Sequence, residues 1–462
     1  MVLLVSTLLP IAAAPLPRVR LSADGRGFVT ARGKPFVPFG VSYYQPGTGW
    51  APQVWKQFDP EATRRDFNRM KELGVNCVRV FLSYGSFQME TNRLSSEGLA
   101  KFDRFLDIAE ESGIYVHPTG PDHWEGLPDW AKEDRYADEV VLRSAEEFWR
   151  QFAARYRGRS VIFAYDLVNE PEIRWDTGPM RLKWNLWLEQ HYVEAGRLAA
   201  AWGLTNQGPL WGRIPIPPRE DQPGSAPLLD FQHFREQIAA DWTRRQAVAI
   251  KAADPQALAT VGLIQWSIPW QLAAGWQYSG FRPEQVARWV DFLEIHFYPF
   301  ANGFYQYGPG DDERNLAYLE GVVREVARPG KPVVLAEFGW YGGGRLTFGN
   351  FAPATQTQQA QWCRQLVEST AGLACGWINW GLHDHPQSGD VSQLTGLLTV
   401  GEEVKAWGRE FERLERCYRG GKWTTPKIGV RPKLDWDRCL TSAAERAGFR
   451  ERYMAAWAAD RR

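Results

Sequence analysis

Short apolar runs alternate with amphipathic stretches along most of this chain. Beyond the N-terminal stretch, residues 18–30 and 34–37 read as short strands joined at Ala23-Asp24-Gly25 and Arg32-Gly33. From there the apolar runs 36–43, 76–82, 114–118, 161–168, 259–265, 292–297, 333–337 and 375–380 have the length and bounding residues of buried strands. Between them, 60–73, 97–112, 144–156, 231–253, 283–289, 314–327, 354–370 and 402–414 carry helical patterning. The helix at 231–253 shows an apolar face at Phe234, Ile238, Trp242 and Ala249. Punctuation agrees: Asp59-Pro60 opens the first helix and Gly74 closes it, and Gly113 ends the second.

Eight strand–helix alternations imply an α/β protein with a parallel sheet, and the number eight implies a closed (β/α)8 TIM barrel with an N-terminal β-hairpin. The alternative is an open doubly wound sheet. No glycine-rich fingerprint follows the first strand, which disfavours a dinucleotide fold. The barrel is expected to occupy residues 18–420. One connection, 173–230, is too long for an ordinary βα loop. It holds a helical run at 182–202 and proline-rich coil at 214–227, and is expected to cap one side of the barrel mouth as a lid. A C-terminal extension, 421–462, follows, with a helix near 442–458.

A buried strand that ends in a breaker presents its last side chain at the strand's C-terminal mouth, where barrel active sites lie. Two carboxylates arrive there independently, Glu170 in Tyr165-Asp166-Leu167-Val168-Asn169-Glu170-Pro171 and Glu337 in Val333-Val334-Leu335-Ala336-Glu337-Phe338-Gly339. Such a pair suits glycosidic bond cleavage, in which one carboxyl protonates the leaving oxygen and the other attacks or activates water.

Composition narrows the partners. Lys+Arg and Asp+Glu are both 54, and no basic block stands out, which argues against nucleic acid. The 23 tryptophans divide between core packing and flat walls for sugar rings, and several fall at strand ends. Of five cysteines, Cys77 and Cys375 read as core residues, Cys417 and Cys439 stand where they could pair, and no spacing suggests a zinc or redox site. Residues 1–15 are apolar and end in Ala12-Ala13-Ala14, as in a secretory signal, but lack its basic start. The chain is therefore expected to be secreted or periplasmic, or else cytoplasmic. The rest contains no candidate membrane span.

Arg79 in Val78-Arg79-Val80, Asn169-Glu170-Pro171, His296-Phe297-Tyr298, Glu337-Phe338-Gly339 and Trp380 in Trp377-Ile378-Asn379-Trp380 occur in order on successive strands. This set resembles clan A retaining glycoside hydrolases, closest in pattern to family 5, over roughly residues 18–415. The resemblance implies double displacement with Glu337 as nucleophile, kept ionised by Arg79 and Tyr298, and Glu170 as acid/base. It further implies that Asn169 binds the sugar 2-hydroxyl and that Trp380 floors the subsite of cleavage. The plainer alternatives are a barrel ion pair for Arg79, a core histidine for His296 and barrel packing for Trp380.

His123 and Trp124, in Asp122-His123-Trp124-Glu125-Gly126, bring a polar group and an indole to the mouth, and mannan-cleaving relatives carry such a pair in a similar place. They make β-mannosides or β-1,4-manno-oligosaccharides the expected substrate, ahead of β-glucosides or β-glucans and then β-galactosides. The segments Trp184-Asn185-Leu186-Trp187-Leu188, Ala200-Ala201-Trp202-Gly203 and Pro215-Ile216-Pro217-Pro218 resemble the helix and proline-rich loop of family 42 β-galactosidases. A lid there favours exo-action or short substrates. Tyr43, Tyr44, Trp50 and Trp340 are expected as outer subsite walls. His383-Asp384-His385 has a spacing open to metal binding, but the catalysis expected here calls for no metal and no cofactor. A transglycosylase would share every one of these residues. A catalytically silent carbohydrate-binding barrel would lack a carboxylate or the arginine, and neither is missing.

Overall fold

The computed structural model describes residues 15–46, 53–205, 211–299, 311–347, 352–424 and 429–460. The apolar stretch read as a signal thus lies, up to residue 14, outside the described residues, as does Trp50.

Eight parallel strands close into a barrel: β4 (Phe39–Ser42), β5 (Cys77–Ser83), β6 (Tyr115–Asp122), β7 (Tyr165–Asn169), β8 (Ala259–Ile264), β9 (Leu293–Phe297), β10 (Val333–Phe338) and β11 (Trp377–Asn379), with β11 returning to β4. The expected (β/α)8 barrel is the observed one. Before it, β1 (Val19–Leu21), β2 (Phe28–Thr30) and β3 (Pro35–Phe36) form a small antiparallel sheet. Its aromatic face closes the bottom of the barrel, where Phe28 meets Phe163 and Phe292 edge-on and Phe36 meets Tyr115. Those partners stand at or just before the starts of β7, β9 and β6, so the opposite end alone is left open.

The helix signals act as their chemistry requires. Asp59 caps the helix Pro60–Glu72 by accepting from the amides of Glu61 and Ala62. Gly113 ends Ser96–Ser112 in the left-handed region at φ 75°. Boundaries move in two places that matter. The strand expected at 114–118 runs on to Asp122, which carries another carboxylate to the mouth. The strand expected at 161–168 begins at Tyr165, because residues 161–162 make only a single bridge, Val116 to Ile162.

The stretch after β7 folds as two helices, Gly178–Tyr192 and Ala195–Trp202, followed by proline-rich coil. Trp184 packs on Phe231 and Phe234 of the long helix Ala226–Ala253. The coil is tied down by hydrogen bonds from Trp175 Nε1 to Pro217 O (2.8 Å), from Trp184 Nε1 to Pro215 O (3.2 Å) and from the Ile214 amide to Asn185 Oδ1 (2.8 Å). At the C-terminus the helices Trp436–Thr441 and Ala443–Ala459 dock against the barrel wall, where Phe449 and Tyr453 pack on Trp270. Cys417 and Cys439 do not pair, since all five cysteines are free thiols. Among the described residues no helix is long and apolar enough to cross a membrane.

Candidate active site

The inward side chains near the open end are polar, and they hold one another. Arg79, fully buried on β5, donates from Nη1 to Glu337 Oε2 (3.0 Å) and from Nη2 to Asp166 Oδ2 (2.9 Å) and Asn169 Oδ1 (2.8 Å). Burial alone would lower the pKa of this guanidinium, but Asp166 and Glu337 hold it above the ordinary value. Asp166, which the sequence reading passed over, also accepts from Thr119 Oγ1 (2.9 Å) and the Gly262 amide (2.7 Å). A side chain at Gly262 would meet Asp166 Oδ2 at 3.0 Å and the His296 ring at 3.1 Å, so this close layer needs glycine there. Below it, His117 Nε2 lies 2.6 Å from Glu294 Oε1, both fully buried.

Glu337 at the end of β10 accepts a second hydrogen bond, from Tyr298 Oη at 2.7 Å. Glu170 follows β7 with φ 45°, in the left-handed region that a glutamate adopts at a cost. Its amide bonds to Gly262 O at 2.9 Å, which pins the turn so that the carboxyl faces inward. His296 sits between the two acids, its Nδ1 3.1 Å from Glu170 Oε1 and 3.5 Å from Glu337 Oε2. One oxygen of each carboxylate and a ring nitrogen of His296 all lie within 4.8 Å of one another.

The electrostatics separate the two acids. Burial pushes Glu170 up to about 7, opposed by Arg79 and reinforced by Asp122. Burial also raises Glu337, with Glu170 adding to the rise, while His296, Arg79 and the Tyr298 hydrogen bond pull it back. Glu337 has two direct donors, Arg79 and Tyr298, while Glu170 has only the His296 ring nitrogen at 3.1 Å, an arrangement that favours charge on Glu337 over charge on Glu170. Burial lowers His296 to about 4, so its imidazole is neutral near pH 7.

Trp380, nearly buried, follows β11 and donates from Nε1 to Ser392 Oγ (2.9 Å). It leans on Tyr44 (ring centroids 5.5 Å) and Phe81 (5.8 Å), in one cluster with Tyr298 and Tyr341. Glu170, Glu337, Arg79, Asn169, His296 and Tyr298 are therefore one hydrogen-bonded group, with the Trp380 cluster beside it. His123 and Trp124 stand apart from it. Their rings stack on each other at 4.4 Å, His123 Nδ1 lies 2.6 Å from Asp122 Oδ1, and Trp124 is 37% exposed. They line a cleft of about 400 Å³ that reaches Asn169 and Glu170 and continues past Glu172, Arg174, Trp175, Arg219 and Trp276. Neither the cleft's arginines nor Trp276 carries a strand-end signal.

Two expectations fail, and one open spacing does not gather. Tyr43 is core, donating to Asp66 Oδ2 (2.6 Å) and packing on Phe67 and Phe105. Trp340 is core as well, stacked on Trp362 at 4.7 Å. His383, Asp384 and His385 do not converge as a ligand set: Asp384 pairs with Lys405 (2.8 Å), His385 Nε2 approaches Gln45 O (3.1 Å) and His383 Nε2 approaches Glu402 Oε1 (2.9 Å).

Known proteins give the same architecture. The family model for Cellulase (glycosyl hydrolase family 5) matches residues 29–386. A β-xylosidase of Phanerodontia chrysosporium is 29% identical over 146 residues, and a glucan 1,3-β-glucosidase of Candida oleophila is 29% identical over 118 residues. These matches cover 28% and 24% of this chain, and only 28% of the length of each relative. Among solved structures, a GH5_18 protein of Streptomyces cattleya in complex with Manβ1-4GlcNAc aligns over 92% of both chains at 21% identity and a TM-score of 0.64. An exo-β-1,4-mannosidase of Opitutaceae bacterium strain TAV5 aligns over 86% of this chain and 62% of its own at 20% identity and a TM-score of 0.60. A β-galactosidase of Halorubrum lacusprofundi aligns over 82% of this chain and 57% of its own at 15% identity and a TM-score of 0.62.

Proposed function

The chain belongs to glycosyl hydrolase family 5, and from that premise we propose that it is a retaining β-glycosidase acting on β-mannosides or short β-1,4-manno-oligosaccharides. One observation carries the mechanism: an oxygen of Glu170 and an oxygen of Glu337 lie within 4.8 Å of each other. Retaining pairs stand about 5–5.5 Å apart, whereas inverting pairs leave about 6.5–9.5 Å for a water.

In the first step a Glu337 oxygen bonds to the anomeric carbon as the bond from that carbon to the leaving oxygen breaks. Glu170 gives its proton to that oxygen. In the second step Glu170, now a carboxylate, takes a proton from water, whose oxygen attacks the anomeric carbon and frees Glu337. Arg79 and Tyr298 hold Glu337 as the ionised nucleophile. Since Arg79 occupies Asn169 Oδ1, the Asn169 amide nitrogen is left for the sugar 2-hydroxyl. Trp380 supplies the flat floor. The neutral His296 steers both carboxyl groups.

The His123-Trp124 pair beside Glu170 supports mannosides over β-glucosides and β-galactosides, and two fold neighbours are a β-mannosidase and a protein holding a mannose-terminated disaccharide. Arg174 and Trp175 just after β7 and Arg219 on the inserted coil wall one side of the cleft, which fits short substrates better than long polymers. The test is proton NMR of the first product formed from a β-mannoside panel, with β-glucosides and β-galactosides alongside. A β-anomer appearing before mutarotation is expected, and an α-anomer first would sink the retaining mechanism. Turnover confined to the glucosides or galactosides would reassign the sugar.

A further inference from the structure

The cleft beside Glu170 has an electrostatic character that the cleavage chemistry does not use. Arg174, Arg219 and Arg235 line it. Among the described residues none of the three forms an ion pair with a carboxylate, in a chain where most arginines near an acid do. Arg174 donates only to the Glu133 carbonyl (2.6 Å). Arg219 is exposed on the proline-rich coil and makes no hydrogen bond among the described residues. Arg235 is 1% exposed and spends Nη1 on Gln232 Oε1 (2.8 Å) and Nη2 on the Ile173 carbonyl. Its Nε is buried without a partner.

A guanidinium taken out of water without a counter-charge is costly, and the cost falls when an anion fills the site. The acids nearby meet this need only at a distance, without a direct ion pair. Asp122 is committed to His123 (2.6 Å) with Arg135 at 3.7 Å, Glu236 pairs with Arg282 (3.4 Å), and Glu172, whose charge reaches Arg219 and Arg235, closes no ion pair with either. The position of the cleft matters too. Glu170 lines it, with Asn169 beside it at the inner end, while Glu337 and Trp380 do not. A general acid faces the leaving oxygen and the nucleophile faces the sugar being cleaved, so the cleft lies on the leaving-group side.

We propose that this cleft is a leaving-group subsite for a sugar or glycoconjugate bearing an anionic substituent (a carboxylate, sulfate or phosphate), recognised by Arg174, Arg219 and Arg235. Its assignment to the leaving-group side rests on the glycosidase mechanism proposed above. The anion site itself does not.

The experiment is calorimetric titration of the wild-type chain with D-glucuronate, glucose 6-sulfate, glucose 6-phosphate and neutral glucose, repeated with Arg219→Gln and Arg174→Gln. Both arginines are exposed, so the variants test the site without disturbing the core. At least one charged sugar is expected to bind about tenfold or more tightly than glucose, since charge-assisted bonds exceed neutral ones. That preference shrinks towards unity in Arg219→Gln and weakens with added salt. The anion that binds best names the substituent. Charged sugars binding no better than glucose, binding by none of the four, or a preference that survives both variants would each overturn the proposal. Turnover of a neutral aryl β-mannoside, measured in parallel, tests the glycosidase conclusion separately: its absence would remove that conclusion and leave the anion result standing.

Discussion

The two sides of Glu170 are built differently. On the Glu337 side the polar groups are held mainly by one another across the barrel strands, and Arg79 alone ties Glu337, Asp166 and Asn169 together, though Arg79 Nε and His296 Nε2 are buried without a partner. On the cleft side the walls come from the loop after β6, the inserted coil carrying Arg219, and a short turn carrying Trp276. The first side is a rigid charge network closed on itself, and the second is a set of loop residues with cationic groups to spare. On the proposed mechanism this contrast separates what the enzyme does to a bond from what it accepts as a leaving group, and changes on the two sides should fail in different ways.

The largest effect is expected at Glu337. Glu337→Gln removes the proposed nucleophile while keeping its shape and the Tyr298 contact, so kcat should fall by about 10⁴-fold or more, the scale on which removal of a covalent catalyst acts. Because the nucleophile is needed for every substrate, the loss should be equal for good and poor leaving groups. A leaving-group-dependent loss would mean that Glu337 is not the attacking residue and that the two sides have been assigned in reverse.

Glu170→Gln should cost about 10²- to 10⁴-fold, but selectively. Alkyl glycosides need a proton on the departing oxygen and should suffer most, whereas dinitrophenyl glycosides leave unaided and should suffer little in the first step. The pH profile sharpens the same point. A general acid works only when protonated, and burial holds Glu170 at about 7, so kcat/KM should fall as pH rises through about 7. That limb should vanish in Glu170→Gln. Stability moves with it. The folded pKa is raised, so Glu170's contribution is fully present below its unfolded value near 4.5 and is lost as pH rises through about 7. Thermal melts at pH 9 should therefore show Glu170→Gln to be more stable than wild type by on the order of 2 kcal/mol. An unchanged alkaline limb in the variant would assign it to another group.

The Glu337 side was legible in the sequence because most of its members stand at strand ends, and a short apolar run followed by a breaker is a local signal. Glu170, Glu337, Asn169, Tyr298 and Trp380 carry it, whereas Arg79 stands out as a charge inside the apolar run of β5. Asp166 lies inside the same run as Glu170 yet passed unremarked, since period two does not reveal which inward residue will meet an arginine from β5. The cleft side carried no comparable signal. Arg219 sits in proline-rich coil and Trp276 in a turn, and only the closed barrel brings them near Glu170. Tyr43 and Trp340 erred the other way. Both follow strands at the mouth, but Asp66 gives the Tyr43 hydroxyl a buried partner and Trp362 gives the Trp340 ring a stacking face, so packing drew them inward.

The smallest effect should come from farthest away, through the C-terminal helices. Arg446 is fully buried there and donates to the Cys439 carbonyl (2.7 Å), to the Ala273 carbonyl (2.9 Å) and to Asp221 Oδ2. Asp221 in turn accepts from the Gly275 amide at 2.8 Å. Asp221 lies two residues from Arg219, and Gly275 immediately precedes Trp276, so one guanidinium pins both loops that supply the outer wall of the cleft. Arg446→Ala should loosen that wall without touching the Arg79 network. KM for substrates with extended leaving groups should rise, by about threefold to tenfold if the wall contributes roughly 1 kcal/mol of binding, while kcat for a small aryl glycoside stays near wild type. Removing the buried guanidinium also leaves Asp221 unpaired, at about 3 kcal/mol or more of stability, so the comparison belongs well below the melting temperature. Arg446→Lys, which keeps the charge but not the fork, should recover part of the KM. A fall in kcat for the small glycoside as well would mean that the extension supports the whole barrel mouth, and the division between the two sides of Glu170 would be lost.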